Sequence, residues 1–415
     1  MTDYYSVITG ELCNTLEYIK NIIYYVANSS RHMYDNNSLL LETMQKSVED
    51  DLGGIEIIGD DYKCPQDEHI AKAAQMKRVR IRIAGCGGAG ANTITRLYQM
   101  GIEGADLLAI NTDANHLEKQ TRSKAKLLIG YKRTRGLGSG GLPKVGEDAA
   151  MEDISKIREL MRGSDIAFIT CGLGGGTGTG AAPIVAKAAK ESGAIVISIV
   201  TLPFKSEGKF RMDNAMHGLE KLSRYSDTIL TIPNDKLLTE SPSKNTEDAF
   251  RYADSIMTRT MKGLTELITK TGLINVDFAD VANVLKAGGA AMVGYGESAR
   301  GENRIMDALN QAISFPLIDA DISHARGCIV SVTGGPDMTV KEHLIAMTEI
   351  HSRIHPDATI KWGARVEKGK ENKIGILVLM VGIKSPFVIN RPEDISNLEK
   401  IILDKDDSIG VDLIR

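Results

Sequence analysis

The chain has 415 residues, 42% of them apolar and 25% charged, which exceeds one ordinary core and makes two domains the expectation. A formal net charge of −4 speaks against a nucleic-acid partner; the longest apolar stretch, Ile374–Ile383, is broken by Gly375 and Gly382 and falls short of the ~18 residues a membrane span needs. Cys13, Cys64, Cys86, Cys171 and Cys328 form no Cys-x-x-Cys, which fits reduced cytosolic thiols and no structural zinc, and the N-terminus lacks the basic region and apolar core of a signal peptide.

In chain order, Leu12, Leu16, Ile19, Ile23 and Val26 keep a 4-3-4-3 spacing that predicts one amphipathic helix. Glu11 and Glu17 against Lys20 make it slightly acidic, better suited to the chain's own body or a partner helix than to an anionic membrane. Asn28–Asn37 and Glu49–Asp61 read as linker, which sets residues 1–76 apart as an N-terminal extension.

Val79, Ile81 and Ile83 alternate like a strand, and after Gly85, Gly87, Gly88, Gly90 and Asn92 a helix pattern runs through Ile94, Leu97 and Met100. Gly85, Gly87 and Gly90 satisfy Gly-x-Gly-x-x-Gly, with Asp113 near the place of a ribose-binding acid, so a nucleotide-dependent oxidoreductase is one alternative. A second loop, Gly-Leu-Gly-Gly-Gly-Thr-Gly-Thr-Gly at 172–180, joins the apolar run Ile166–Ile169 to a helix bearing Ile184, Val185 and Ala188. Its small side chains leave backbone N–H groups free to converge on an anion at a helix start, whereas a flexible linker would join polar stretches. A dinucleotide needs one pyrophosphate loop; two loops suit the longer charge of a nucleoside triphosphate. There is no Gly-x-x-x-x-Gly-Lys-Ser/Thr, so an ordinary P-loop is excluded.

Strand and helix patterns alternate over 77–245, which implies a parallel sheet covered on both faces with its ligand at the carboxyl edge. Glu207 and Arg211 are spaced i, i+4, as in an ordinary helix ion pair. Asn245 or Thr246 starts a long amphipathic helix over 246–272 carrying Phe250, Ala253, Met257, Met261, Leu264 and Ile268. Asp277 and Asp280 open a further helix, a pattern that a simple helix cap also explains. Strands are expected at Cys328–Val332, Ala358–Trp362 and Ile374–Val381 within 273–384, followed by a charged tail, 385–415, ending in the apolar Ile409–Ile414.

The glycine loop at 174–180 resembles that of tubulin and FtsZ, and from about residue 77 to 384 the chain is similar to FtsZ in the order and spacing of seven motifs. These are Gly85–Asn92; Asn111-Thr112-Asp113; Thr134–Gly138; Pro203-Phe204 with Glu207-Gly208 and Arg211; Ile232–Asp235; Asp248–Phe250; and Asn275–Asp280. The resemblance implies an α/β fold: a Rossmann-like GTP-binding domain over 77–245, a central helix at 246–272 and a smaller α/β GTPase-activating domain at 273–384. It implies a GTPase that polymerises head-to-tail at a mid-cell division site in the cytoplasm; a tubulin-like cell-shape protein is the neighbouring alternative. Gly87, Gly88, Ala89, Gly90, Asn92, Gly175, Gly176, Thr177, Gly178 and Thr179 would hold the phosphates, and Asn111 and Asp113 would help hold Mg²⁺, though an Asx turn is the plainer role for Asp113. Glu207 would meet the ribose and Arg211 the ribose or phosphate edge. Phe250 and Asp254, four apart, would present a ring and a carboxylate to guanine, with Asn234 on the purine's other edge; plain core packing and a solvated face are their alternatives.

In the family, the carboxylates matching Asp277 and Asp280 enter the neighbouring subunit's site, so Asn275, Asp277 and Asp280 would be catalytic and shared between chains. Leu142 stands where bacterial members usually carry Asn. The tail lacks Asp-Ile-Pro-x-Phe-Leu-Arg, and its ending, with Trp362–Arg365, is closer to archaeal members. The tail would bind a membrane adaptor or division protein, with no direct membrane insertion.

Overall fold

The structure is a computed structural model. It describes residues 79–383 apart from 236–245, 271, 275, 287, 300, 302, 315–320 and 368, and at 246–253 and 256 it describes the backbone alone. The expected helix at 12–26, the side chain of Phe250, Asn275 and the tail lie outside the described residues.

One ten-stranded sheet carries the fold. Its strands are β1 (Ile81–Cys86), β2 (Ala105–Asn111), β3 (Ala125–Leu128), β4 (Ile166–Gly172), β5 (Ile195–Leu202), β6 (Thr228–Pro233), β7 (Gly289–Ala299), β8 (Gly327–Gly334), β9 (Thr359–Val366) and β10 (Lys373–Val381). The spatial order is β3-β2-β1-β4-β5-β6-β7-β10-β8-β9. From β3 to β6 every pairing is parallel, with Ile83 opposite both Leu107 and Phe168. β6 joins β7 in parallel through Thr228–Leu230, after which β10 runs antiparallel to β7 and β8, and β8 pairs in parallel with β9.

Parallel strands need crossovers, and here these are the helices α1 (Gly87–Gln99), α2 (Pro143–Glu152), α3 (Ile154–Met161), α4 (Thr177–Glu191) and α5 (Lys209–Ser223). Because helices cover both faces, a central strand such as Ile195–Leu202 is buried along its whole length and apolar except at Ser198 and Thr201. One face buries Ile169, Val196, Ala182, Val185 and Leu219. The other buries Phe168 and Ile197 with Ile94 and Leu97 of α1 and continues into the second half through Val293, Leu377 and Leu379.

The long α6 (Thr246–Thr269) lies on that continuous core through Met257, Met261 and Leu264, and α7 (Phe278–Lys286) adds Val281, Val284 and Leu285. The second half has its own core of Met292, Val330 and Ile376 beneath α8 (Arg304–Ile313) and α9 (Val340–Arg353). The three apolar strands expected there are β8, β9 and β10. Sequence periodicity misses β7, whose Gly-Ala-Ala-Met-Val-Gly-Tyr-Gly run looks loop-like. Its glycines serve packing: a Cβ at Gly294 or Gly296 would collide with the carbonyl oxygen of Ala312 or Ala308 on α8.

Candidate nucleotide site

A cavity of about 540 Å³ opens at the carboxyl edge of the parallel strands, within the range of small-molecule sites. Two helices start there. α1 follows β1 directly and α4 follows the second glycine loop; neither has a side-chain hydrogen bond at its N-cap, Cys86 or Gly176, and neither has an acidic residue in its first turn. Their first N–H groups and dipoles are therefore left to an anion.

The two loops meet. A Cβ on Gly87, where φ is +73°, would lie 2.8 Å from the Gly178 nitrogen, so only glycine lets them approach. Gly88 and Gly175 have no atom within 4 Å of a Cβ position and face open space, as do Gly140 and Gly141 of a third loop. That loop docks on the second through hydroxyls: Ser139 Oγ lies 2.9 Å from Thr177 Oγ1, which lies 2.6 Å from Thr112 Oγ1.

Of the residues expected to hold phosphates, Gly87, Gly88, Ala89, Gly175, Gly176, Thr177 and Gly178 line the cavity. Gly90, Asn92 and Thr179 do not. Gly90 backs onto β4, where a Cβ would come within 2.6 Å of the Thr170 carbonyl oxygen, and Asn92 is exposed on α1. Thr179 is buried and accepts the Gly174 N–H at 2.9 Å, which closes the loop from behind.

Asp113 lines the cavity and also ties its own turn, its Oδ1 accepting the His116 N–H at 3.0 Å. Glu207 and Arg211 line the cavity as an ion pair, and Glu207 also accepts the Phe204 N–H at 2.9 Å. Asn234 is buried in the wall, and its Oδ1 has no hydrogen-bond partner; a polar atom left so is a place for a ligand donor. Asp254 comes into the wall from α6, 15% exposed, with Oδ2 3.2 Å from Nε of Arg96 on α1. Burial pushes its carboxyl up to about 6, against the opposing pull of Arg96 and of the Thr93 hydroxyl.

Thr112, His116, Ser139 and Thr201 also line the cavity and were missed as site residues. Position signals Thr112, between Asn111 and Asp113, and Ser139, inside a glycine loop. His116 and Thr201 give no such local signal.

The acidic pair lies elsewhere. α6 carries the chain from Asp254 in the cavity wall to Thr269, which packs on Gly104 just ahead of β2, and to Lys270, 3.3 Å from Glu103. Sixteen residues of helix span about 24 Å. The segment then bridges β9 through Ile274 and Ala364 before Asp277 and α7. Asp277 is exposed, its carbonyl accepting the Val281 N–H as at a helix start, and Asp280 pairs with Lys361 of β9 at 2.9 Å.

A phosphate-binding edge on a parallel sheet, continued by one long helix into a mixed second half, defines the architecture of the tubulin-type GTP-binding proteins. Residues 80–241 match the Tubulin/FtsZ family, GTPase domain, and residues 289–384 the FtsZ family, C-terminal domain. Cell division protein FtsZ 1 of Archaeoglobus fulgidus is 50% identical over 335 residues, 81% of this chain and 90% of that protein. Its namesake from Methanocaldococcus jannaschii is 49% identical over 321 residues, 77% and 88% of the two chains. The solved structure of an empty FtsZ dimer from M. jannaschii shares the fold with a TM-score of 0.72 at 49% identity, covering 77% of this chain and 92% of that one. The chain belongs to the FtsZ family and is a cytoskeletal GTPase of cell division.

Proposed function

We propose that this chain holds GTP or GDP in the carboxyl-edge cavity and hydrolyses GTP where a second copy, stacked head-to-tail, supplies Asn275, Asp277 and Asp280. The observation that carries this reading is the course of α6. Asp254 lines the cavity, whereas Lys270, sixteen residues on, pairs with Glu103 just ahead of β2, and Asp280 pairs with Lys361 of β9; neither Asp277 nor Asp280 lines the cavity, which supports delivery to a neighbouring copy. Self-association is in keeping with the dimer of the M. jannaschii relative. The three glycine loops and the two helix N-termini take the phosphates, Glu207 and Arg211 the sugar side, and Asn234, Phe250 and Asp254 the guanine.

Among the described residues no three His, Cys, Asp or Glu groups converge on a metal position. Mg²⁺ nevertheless suits the site, because it is commonly held by one carboxylate, here Asp113, with phosphate oxygens and water completing its shell. When bound it would neutralise charge on the β and γ phosphates. The chain's own contribution is to orient those phosphates and, from the neighbouring copy, to position the attacking water.

In this reading residues 246–272 link a GTP-binding part, 77–245, to an activating part, 273–384. The tail recruits a membrane adaptor or division protein, and the protein works on the cytoplasmic side of the division site. No helix among the described residues is long and apolar enough to cross a membrane.

The test is GTPase rate per molecule against protein concentration. It should rise with concentration, and Asp280→Ala should bind GTP and assemble yet lose about 10²–10⁴-fold in turnover. A rate that stays flat on dilution, with Asp280→Ala fully active, overturns the shared site.

A further inference from the structure

We propose, on the reading that Asp254 pairs with guanine, that Arg96 is a positioning residue for the base: its guanidinium fixes the aim and charge of the Asp254 carboxylate and so sets the preference for guanine over adenine. The two residues come from separate elements, α1 and α6, and meet with Nε 3.2 Å from Oδ2. Arg96 is not itself part of the cavity wall, whereas Asp254 is, so the contact reaches the carboxylate from behind. An ionised carboxylate offers about four lone-pair sites, and an ion pair made on the Oδ2 side leaves acceptors for guanine N1–H and 2-NH₂. Arg96 stands in the last turn of α1, where the helix dipole favours a cation.

The charge matters because the site works against it. Desolvation raises the Asp254 carboxyl to about 6, with Arg96 the largest opposing influence. The other titratable groups of the cavity wall do not compete: Glu207 pairs with Arg211, Asp113 serves the His116 turn, His116 lies toward Thr121, and burial pushes the Cys86 thiol up to about 12. Thr93, also on α1, shares its hydroxyl between the Ala89 carbonyl and the carboxylate. Without Arg96 the carboxyl would take up a proton nearer neutrality. A neutral acid presents one donor and one acceptor, which is the complement of adenine N1 and its 6-NH₂, not of guanine. Loss of Arg96 should therefore weaken guanine binding and relax the choice of base together.

The experiment titrates fluorescent GDP and ADP against the full-length protein from pH 5 to 8.5, in wild type, Arg96→Met, Arg96→Lys and Asp254→Asn. Wild-type GDP affinity should fall about tenfold per unit below a midpoint near 6. Arg96→Met should move that midpoint up by a unit or more, weaken GDP about tenfold at pH 7 and narrow the GDP/ADP ratio. Arg96→Lys, which keeps the charge but not the fork, should hold the midpoint within half a unit. A folded Arg96→Met that binds GDP weakly with an unmoved midpoint and unchanged base ratio overturns the proposal, because a purely structural role predicts that result. If the Met variant does not fold, Arg96→Gln takes its place under the same criteria. Asp254→Asn should bind GDP weakly with a flat profile; wild-type affinity and base ratio in that variant would instead sink the guanine reading itself.

Discussion

At Gly88 and Gly175 a Cβ would meet nothing within 4 Å, whereas at Gly294 and Gly296 it would run into main-chain oxygens of α8. Gly88 and Gly175 of the parallel half border a space that a ligand can enter, whereas Gly294 and Gly296 of the mixed half bring a helix down onto a strand. Within the second glycine loop both uses occur side by side, since Gly175 is open and a Cβ on Gly180 would strike the Pro143 carbonyl of α2. Composition alone does not separate the two uses; what lies opposite each glycine does.

Gly294→Ala tests the packing side most severely. The added methyl has a carbonyl oxygen in its way and no flexible side chain to displace, so destabilisation should reach or pass the top of the ~1–3 kcal/mol typical of overpacking. Denaturant unfolding would show it, and a variant as stable as wild type would mean that α8 moves freely on β7. Gly88→Ala tests the other side. Inside a helix the exchange should leave stability unchanged or raise it by about 0.5–1 kcal/mol, while the methyl projects where phosphate would lie and nucleotide affinity should fall tenfold or more. Normal GDP binding by a stable Gly88→Ala would place the phosphates elsewhere.

The smallest effect concerns Asp254 in nucleotide-free protein. Its folded-state pKa is raised, to about 6, so the folded protein holds a proton that the unfolded chain releases near 4, and its contribution to stability falls as pH rises through that window. Stability of Asp254→Asn minus that of wild type should accordingly grow by about 1 kcal/mol from pH 5 to 7. A difference that is constant with pH, measured by urea unfolding at both values, would show that burial does not strain this carboxylate.

What the sequence made legible was whatever is written locally. Both glycine loops, the Asn111–Asp113 turn, Glu207 with Arg211, and Asn234 stand in short segments whose spacing states their direction, and all reach the cavity wall. Tertiary approach was not legible. Gly90 and Thr179 belong to the same motifs as their cavity-facing neighbours, yet one is consumed by packing on β4 and the other by closing its own loop. The Arg96–Asp254 contact and the hydroxyl chain through Ser139, Thr177 and Thr112 join distant parts of the chain, and no periodicity announces them. β7 was lost for a related reason, since its glycines answer to a helix that sequence patterning cannot place above them.

α6 is 24 residues of uninterrupted helix between a wall of the cavity and the far edge of the sheet. Mechanically it is a rod with a thread. Removing one residue would shorten it by only 1.5 Å but turn everything beyond by 100°, swinging Met257, Met261 and Leu264 off the core or Asp254 out of the wall. Its length can therefore change only in whole turns, near multiples of seven residues or of eleven, and even those would shift one end about 10 Å or more relative to the other. The rod holds the cavity wall and the far edge of the sheet in a fixed phase as well as at a fixed distance.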